Sequence, residues 1–287
     1  MNTRFLAVFA LFGFLSVGAS RLAAQNGDLP FSSGSTGADG ALTLPAAADD
    51  SYGFGMAYDE KRQEVVRFGG VSSAGTNADT WVMRSSGWQK LTPVTSPPAA
   101  AFGAMAYDVM REEVVWFAGG QTWTWNGTTW TQKAPAHSPS SRTYAAMVWH
   151  SIAAEIVLFG GQTGSPGTIL ADTWTWNGTD WTQKSPATSP PARSAHAMAP
   201  YPPLGAVAMT CGNNMGFGQY NPNLNGNNFL QDLWLWDGTT WTQKIAQAFG
   251  GSGGWALTNY GVQSPSLVFD QVRNELLLFG GYFYYFN

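Results

Sequence analysis

The chain is poor in charge. Lys, Arg, Asp and Glu together make up 11% of its 287 residues, against about 25% in an ordinary globular domain. Its net charge is −4 and no basic cluster interrupts it, so nucleic acid is excluded as an expected partner. Cysteine occurs once, at Cys211, which rules out an internal disulfide. The three histidines, His137, His150 and His196, show no metal-ligand spacing, and no metal or cofactor is expected. His-Glu-x-x-His and phosphate-loop patterns are missing. The one long apolar run, Phe5 to Ala19 behind Arg4, is shorter than the roughly 20 residues of a membrane span. With small residues at Ser20 and Ala23-Ala24 it reads as a signal peptide over 1–24. A secreted, periplasmic or cell-surface product without a membrane span after cleavage is therefore expected. Residues 25–48, rich in Gly, Ser, Ala and Asp, read as a linker or N-terminal arm. That leaves 49–287 for the folded domain.

What the chain does have is aromatic residues and glycine. Aromatics make up 14%, including 14 Trp, and there are 34 Gly. Large flat side chains suit half-buried pleated surfaces and Gly suits special backbone angles, so sheets and tight turns are expected.

A repeat organises these residues. An apolar run ending in paired glycines appears as Glu64-Val-Val-Arg-Phe-Gly69-Gly70 and Glu113-Val-Val-Trp-Phe-Ala-Gly119-Gly120. It returns as Glu155-Ile-Val-Leu-Phe-Gly160-Gly161 and Glu275-Leu-Leu-Leu-Phe-Gly280-Gly281, with a degraded copy at Ala206 to Cys211-Gly212. Each run reads as a buried strand stopped by a turn. The Gly pair lets the backbone take positive φ or approach a neighbouring strand closely. A short strand precedes each run, and in three copies an Asp-x-x-Arg-x-Glu turn joins the two, beginning at Asp59, Asp108 and Asp270. The Asp suits the turn's N–H groups and can pair with Arg62, Arg111 or Arg273. His150 takes the Asp place in the third copy. A Trp-bearing hairpin follows: Trp81 with Trp88, Trp123 with Trp130, Trp174 with Trp181, and Trp234 with Trp241. Three of its turns are Asn126-Gly127, Asn177-Gly178 and Asp237-Gly238, strong hairpin signals. Those turns also account for the two Asn-Gly-Thr glycosylation patterns.

The unit is four short strands in about 50 residues, which can bury its Trp face only by stacking on its neighbours. At this point the chain resembles the kelch repeat family. The resemblance rests on the Gly pair, the loop and the Trp hairpin in phase over residues 50 to 287. It implies an all-β propeller of about five four-stranded kelch-type blades, the first strand of each lining a central channel. The last repeat lacks a Trp hairpin. It is either incomplete or completed by the N-terminal segment around Ala41 to Pro45.

Residues that recur once per repeat read as structural. These are the Gly pairs, the Glu at each strand start, and Trp123, Trp130, Trp174, Trp181, Trp234 and Trp241. Trp116, Trp149 and Trp255 break the phase, so an exposed role is expected of them. Arg142 and Arg193 stand at equivalent places before a first strand, where the kelch resemblance implies a channel mouth. Arg142, Arg193, Trp116 and Trp149 are thus the expected ligand contacts. The expected function is a protein- or glycan-binding module without a catalytic site. The alternatives are a carbohydrate-active enzyme, or a structural part of a larger cell-surface protein.

Overall fold

The computed structural model describes residues 50–164, 167–215, 230–246 and 264–280. The signal and linker segments, Ala41 to Pro45, Trp255 and Gly281 lie outside them.

The strands follow the repeat in chain order. The first copy forms β1 (Gly55–Asp59), β2 (Glu64–Phe68), the short pair β3 (Val71–Ser72) and β4 (Gly75–Thr76), then β5 (Thr80–Arg84) and β6 (Gly87–Leu91). The second forms β7 (Ala104–Asp108), β8 (Glu113–Ala118), β9 (Gln121–Trp125) and β10 (Trp130–Lys133). The third forms β11 (Ala146–His150), β12 (Glu155–Phe159), the pair β13 (Gln162–Gly164) and β14 (Gly167–Ile169), then β15 (Thr173–Trp176) and β16 (Trp181–Lys184). The fourth forms β17 (Ala197–Tyr201), β18 (Ala206–Thr210), β19 (Leu233–Trp236) and β20 (Trp241–Ile245), and the fifth β21 (Ser266–Asp270) and β22 (Glu275–Phe279). Four antiparallel four-stranded sheets result, ordered β1-β2-β5-β6, β7-β8-β9-β10, β11-β12-β15-β16 and β17-β18-β19-β20, with β21-β22 as a two-stranded fifth. First strands contact one another in series, β1 to β7 to β11 to β17 to β21. This is a blade-like arrangement.

The turns follow the chemistry of their residues. Asp59 accepts the Arg62 N–H at 3.1 Å and the Arg62 guanidinium at 2.6 Å. Asp108 with Arg111 and Asp270 with Arg273 repeat both contacts. His150 substitutes for the Asp, its Nδ1 accepting the Ala153 N–H at 3.2 Å. Asn126, Asn177 and Asp237 each accept two backbone N–H groups of their own hairpin turn. The Gly pair serves both purposes expected of it. Gly160 has φ +59°, and a Cβ there would lie 2.5 Å from the Arg193 carbonyl oxygen.

The cores lie between sheets, as the repeat requires. Val66, Phe68 and Val82 pack on Met105, Val114, Trp116, Trp125 and Trp130. The same construction joins the second sheet to the third and the third to the fourth. A thinner cluster of Ala206, Ala208 and Leu235 meets Leu267 and Leu276 of the fifth sheet. One latch recurs at the first three interfaces. The Trp130 indole N–H donates to Thr80 Oγ1 of the preceding sheet at 2.9 Å, Trp181 to Thr122 at 2.8 Å, and Trp241 to Thr173 at 2.9 Å. Phe68, Phe117 and Phe159 meet the same tryptophans edge-on, with centroids 5.1, 5.5 and 5.3 Å apart.

Candidate functional site

The segments entering the first strands form the most distinctive surface. Two residues before each first strand the backbone turns left-handed, at Gly53, Phe102, Tyr144, Ala195 and Ser264. Each of these from Phe102 onward donates its N–H to the carbonyl of its predecessor: Phe102 to Gly53, Tyr144 to Phe102, Ala195 to Tyr144, and Ser264 to Ala195, at 2.6 to 2.9 Å. This relay stitches the inner ends of five sheets together. Positive φ is unusual for large side chains, so the relay decides which way Phe102 and Tyr144 project. Their rings stack at 4.6 Å with 32° between planes, and Tyr52 adds a third ring 6.1 Å from Phe102. Ala195 and Ser264 end the aromatic row. The row is therefore a feature of the first three sheets alone.

Beside it lies a depression of about 470 Å³ lined by Phe102, Ser141, Arg142, Thr143, Tyr144, Gln162 and Gly164. Gln162 and Gly164 come from β13, held to the strand entry by reciprocal backbone bonds between Thr143 and Gln162. Burial, and next the proximity of Tyr52, pushes the Tyr144 pKa up to about 12, so this phenol keeps its proton at any physiological pH. Among the described residues, no carboxylate lines the depression. Among the described residues, no group of three or more His, Cys, Asp and Glu is placed to hold a metal ion.

Of the four expected ligand contacts, only Arg142 borders this depression. Its guanidinium is turned inward, with Nη1 and Nη2 on Asp172 at 2.6 and 2.8 Å, Nη1 also on the Gly160 carbonyl, and Nε on the Ser140 carbonyl. Burial alone would raise the Asp172 pKa. The hydrogen bonds and charge of Arg142, with the Trp174 indole, bring it below the ordinary carboxylate value instead. Arg193 repeats the arrangement one sheet on, gripping Asp232 at 2.7 and 2.8 Å and the Cys211 carbonyl at 3.1 Å. The two arginines thus tie each strand entry to the Asp that opens the next Trp hairpin. The exposure expected of Trp116 is corrected: it is 1% exposed, because β8 is covered on both faces and Phe68 packs against it at 5.4 Å. Trp149 is half-buried against the second interface.

Two features were not singled out in the sequence. Trp125, Trp176 and Trp236 are buried more deeply than Trp123, Trp174 and Trp234; the second Trp of each Trp-x-Trp pair was the available signal. The other is Phe102 with Tyr144, whose left-handed backbone no residue type announces. A buried polar cluster lies at the corresponding place in the fourth sheet. Among the described residues, Ser194 Oγ, both His196 ring nitrogens and Asn213 Nδ2 have no hydrogen-bond partner. Burial, reinforced by Arg193, lowers the His196 pKa to about 3, and burial raises the Cys211 thiol to about 11. Both groups are neutral at pH 7, so they are not an activated thiolate–imidazolium pair.

No protein-family profile and no curated protein matches the chain. Among solved structures it is similar to that described as the structure of YjhT, with a TM-score of 0.57 and 13% identity over 80% of this chain and 77% of that one. At that identity the likeness speaks for the fold alone. The chain is an all-β protein of antiparallel, blade-like sheets, sharing at a distance the propeller-like fold of YjhT.

Proposed function

We propose that this chain is a secreted, kelch-type propeller of about five blades that binds carbohydrate at the aromatic row and the depression beside it. The observation that carries this reading is the Phe102–Tyr144 stack on the rim of a polar hollow. Aromatic faces present flat apolar area at low entropic cost. Ser141, Thr143, Tyr144 and Gln162 supply the polar groups that orient a ligand in a largely pre-formed site. The volume suits a mono- or disaccharide unit, since ligand pockets run about 300–1,000 Å³. Arg142 shapes the wall. The Arg142 donors are engaged by Asp172 and backbone carbonyls, and none of the described lining residues is a carboxylate, so the hollow favours a neutral sugar over a charged one.

A second reading is that the same hollow belongs to a carbohydrate-active enzyme, as its substrate-sized volume allows. Hydrolysis then requires acidic groups brought by the ligand or by neighbouring segments, because glycoside cleavage runs on a carboxyl pair. A glycan array followed by calorimetry separates the readings. Binding is expected for a neutral glycan that is recovered unchanged, and Tyr144→Asn or Phe102→Asn weakens it about tenfold, equivalent to about 1.4 kcal/mol. Asn is chosen because it tolerates the left-handed backbone at both positions. Release of reducing ends from the bound glycan would favour the enzyme. Failure of every glycan to bind would remove both readings.

A further inference from the structure

In the first and third sheets the second strand does not turn straight back on itself. A short ribbon, β3–β4 or β13–β14, stands between it and the Trp hairpin. The residue leaving each ribbon ties it to the strand entry of the next sheet. Gly70 donates its N–H to the Ala100 carbonyl at 2.9 Å, Ala100 to the Asn77 carbonyl at 3.3 Å, and Asn77 to the Gly70 carbonyl at 3.0 Å. The third sheet repeats this closed triangle with Gly161, Arg193 and Leu170, at 2.9, 3.1 and 2.9 Å. In the fourth sheet Leu230 donates to the Gly212 carbonyl at 2.9 Å.

The second sheet has no ribbon. β8 runs on through Ala118 and returns to β9 by the left-handed turn Gly119-Gly120. No residue therefore stands in the place of Asn77 and Leu170. The strand-entry residue such a corner would meet is Arg142, which precedes the left-handed Tyr144 as Ala100 precedes Phe102 and Arg193 precedes Ala195. Among the described residues, the Arg142 backbone N–H and C=O make no hydrogen bond, although Arg142 is only 3% exposed. Thr143 and Tyr144 beside it are bonded at both groups. Buried backbone groups are nearly always paired, so this pair calls for a partner.

Both Arg142 and Ser141 line the hollow. The glycine turn passes next to them, since a Cβ on Gly120 would lie 3.6 Å from the Ser141 nitrogen. A Cβ on Gly119 would meet nothing within 4 Å, whereas at Gly69 and Gly160 it would lie 2.3 and 2.5 Å from a carbonyl oxygen. The hollow is thus the space that a ribbon fills in the first and third sheets.

We infer that the sugar takes the ribbon's part, docking two adjacent hydroxyls of a pyranose ring on the main chain of Arg142. One hydroxyl donates to its carbonyl, as Gly70 and Gly161 do to Ala100 and Arg193. The other accepts from its N–H, as Asn77 and Leu170 do. The inference rests on the carbohydrate reading above and names the group that is recognised. Hydroxyls suit the place because each can donate or accept. The Arg142 guanidinium, held by Asp172 and by the Gly160 and Ser140 carbonyls, keeps this peptide in position before the sugar arrives.

Two measurements test it. In the first, Ala118 to Gln121 is replaced by Gly69 to Asp79, since each segment joins a Phe to a Thr. Calorimetry with the methyl glycosides of glucose, galactose and mannose compares this graft with wild type. The graft is expected to keep its circular dichroism and to bind about tenfold more weakly or not at all. In the second, wild type alone is titrated with monodeoxy derivatives of the glycoside it binds best. Loss of either of two adjacent hydroxyls is expected to weaken binding about tenfold, and loss of the others much less. The deoxy series decides the matter even where the graft does not fold. A folded graft that binds like wild type, or a deoxy series in which no adjacent pair stands out, overturns the inference. If Phe102→Asn still weakens binding in that case, the aromatic site stands without the Arg142 contact. A wild type that binds neither these glycosides nor any arrayed glycan overturns both.

Discussion

His196 makes the stability of this protein depend on pH in a calculable way. The imidazole is enclosed beside Phe159, whose ring it meets at 5.6 Å and 83°, and neither ring nitrogen has a hydrogen-bond partner among the described residues. Burial first, and then the charge of Arg193, lowers its pKa from 6.5 to about 3. The folded state therefore resists a proton that the unfolded chain accepts. Full stability is present above pH 6.5 and is lost as pH falls from there towards the native value. With those two values the loss is about 2 kcal/mol at about pH 5, and about 5 kcal/mol below about pH 3. The perturbation is His196→Phe, chosen because Phe54 stands at the equivalent place in the first sheet. Urea unfolding at about pH 8 and about pH 5 measures the difference. Wild type is expected to lose about 2 kcal/mol more than the variant between the two conditions. His150 is also depressed, chiefly by burial, and acts in the same direction in both proteins, so it cancels. Parallel losses in wild type and His196→Phe would refute the reasoning.

Other consequences follow from the repeat. Thr122→Val leaves the Trp181 indole N–H buried without an acceptor and is expected to cost about 1–3 kcal/mol in urea unfolding, with Thr122→Ser restoring most of it. Arg193→Met strands the Asp232 carboxylate, 5% exposed, at a cost of about 3–5 kcal/mol, and Arg193→Met with Asp232→Leu recovers much of that loss in thermal unfolding. Gly178→Ala puts a Cβ into the Arg111 guanidinium at φ +94° and is expected to lower stability by about 1–2 kcal/mol. Cys211, fully buried with its thiol raised to about 11, should react with an aromatic disulfide reagent only after denaturation, and prompt native labelling would contradict the burial.

The strands, hairpins and latch tryptophans were legible because each depends on short-range chemistry repeated in phase. Asp59 with Arg62, Asn126 with its turn and the Gly160 approach all came out as the residue types imply. Trp116 did not. Its departure from the repeat suggested exposure, but a strand buried on both faces leaves no outside position. Arg142 and Arg193 were singled out by position, and only the folded chain reveals that Asp172 and Asp232, 30 and 39 residues later, are their partners.

By itself, then, the sequence determined the repeat, its antiparallel hairpins and the need for neighbouring sheets to cover one another, since period-two patterning and turn residues act within a few positions. The tertiary structure decided what depends on distant segments meeting. It set the inter-sheet Trp–Thr latch, the relay that turns Phe102 and Tyr144 into a stacked row, and the burial that neutralises His196. A side chain's exposure and partners are properties of the whole packing, and no local pattern contains them.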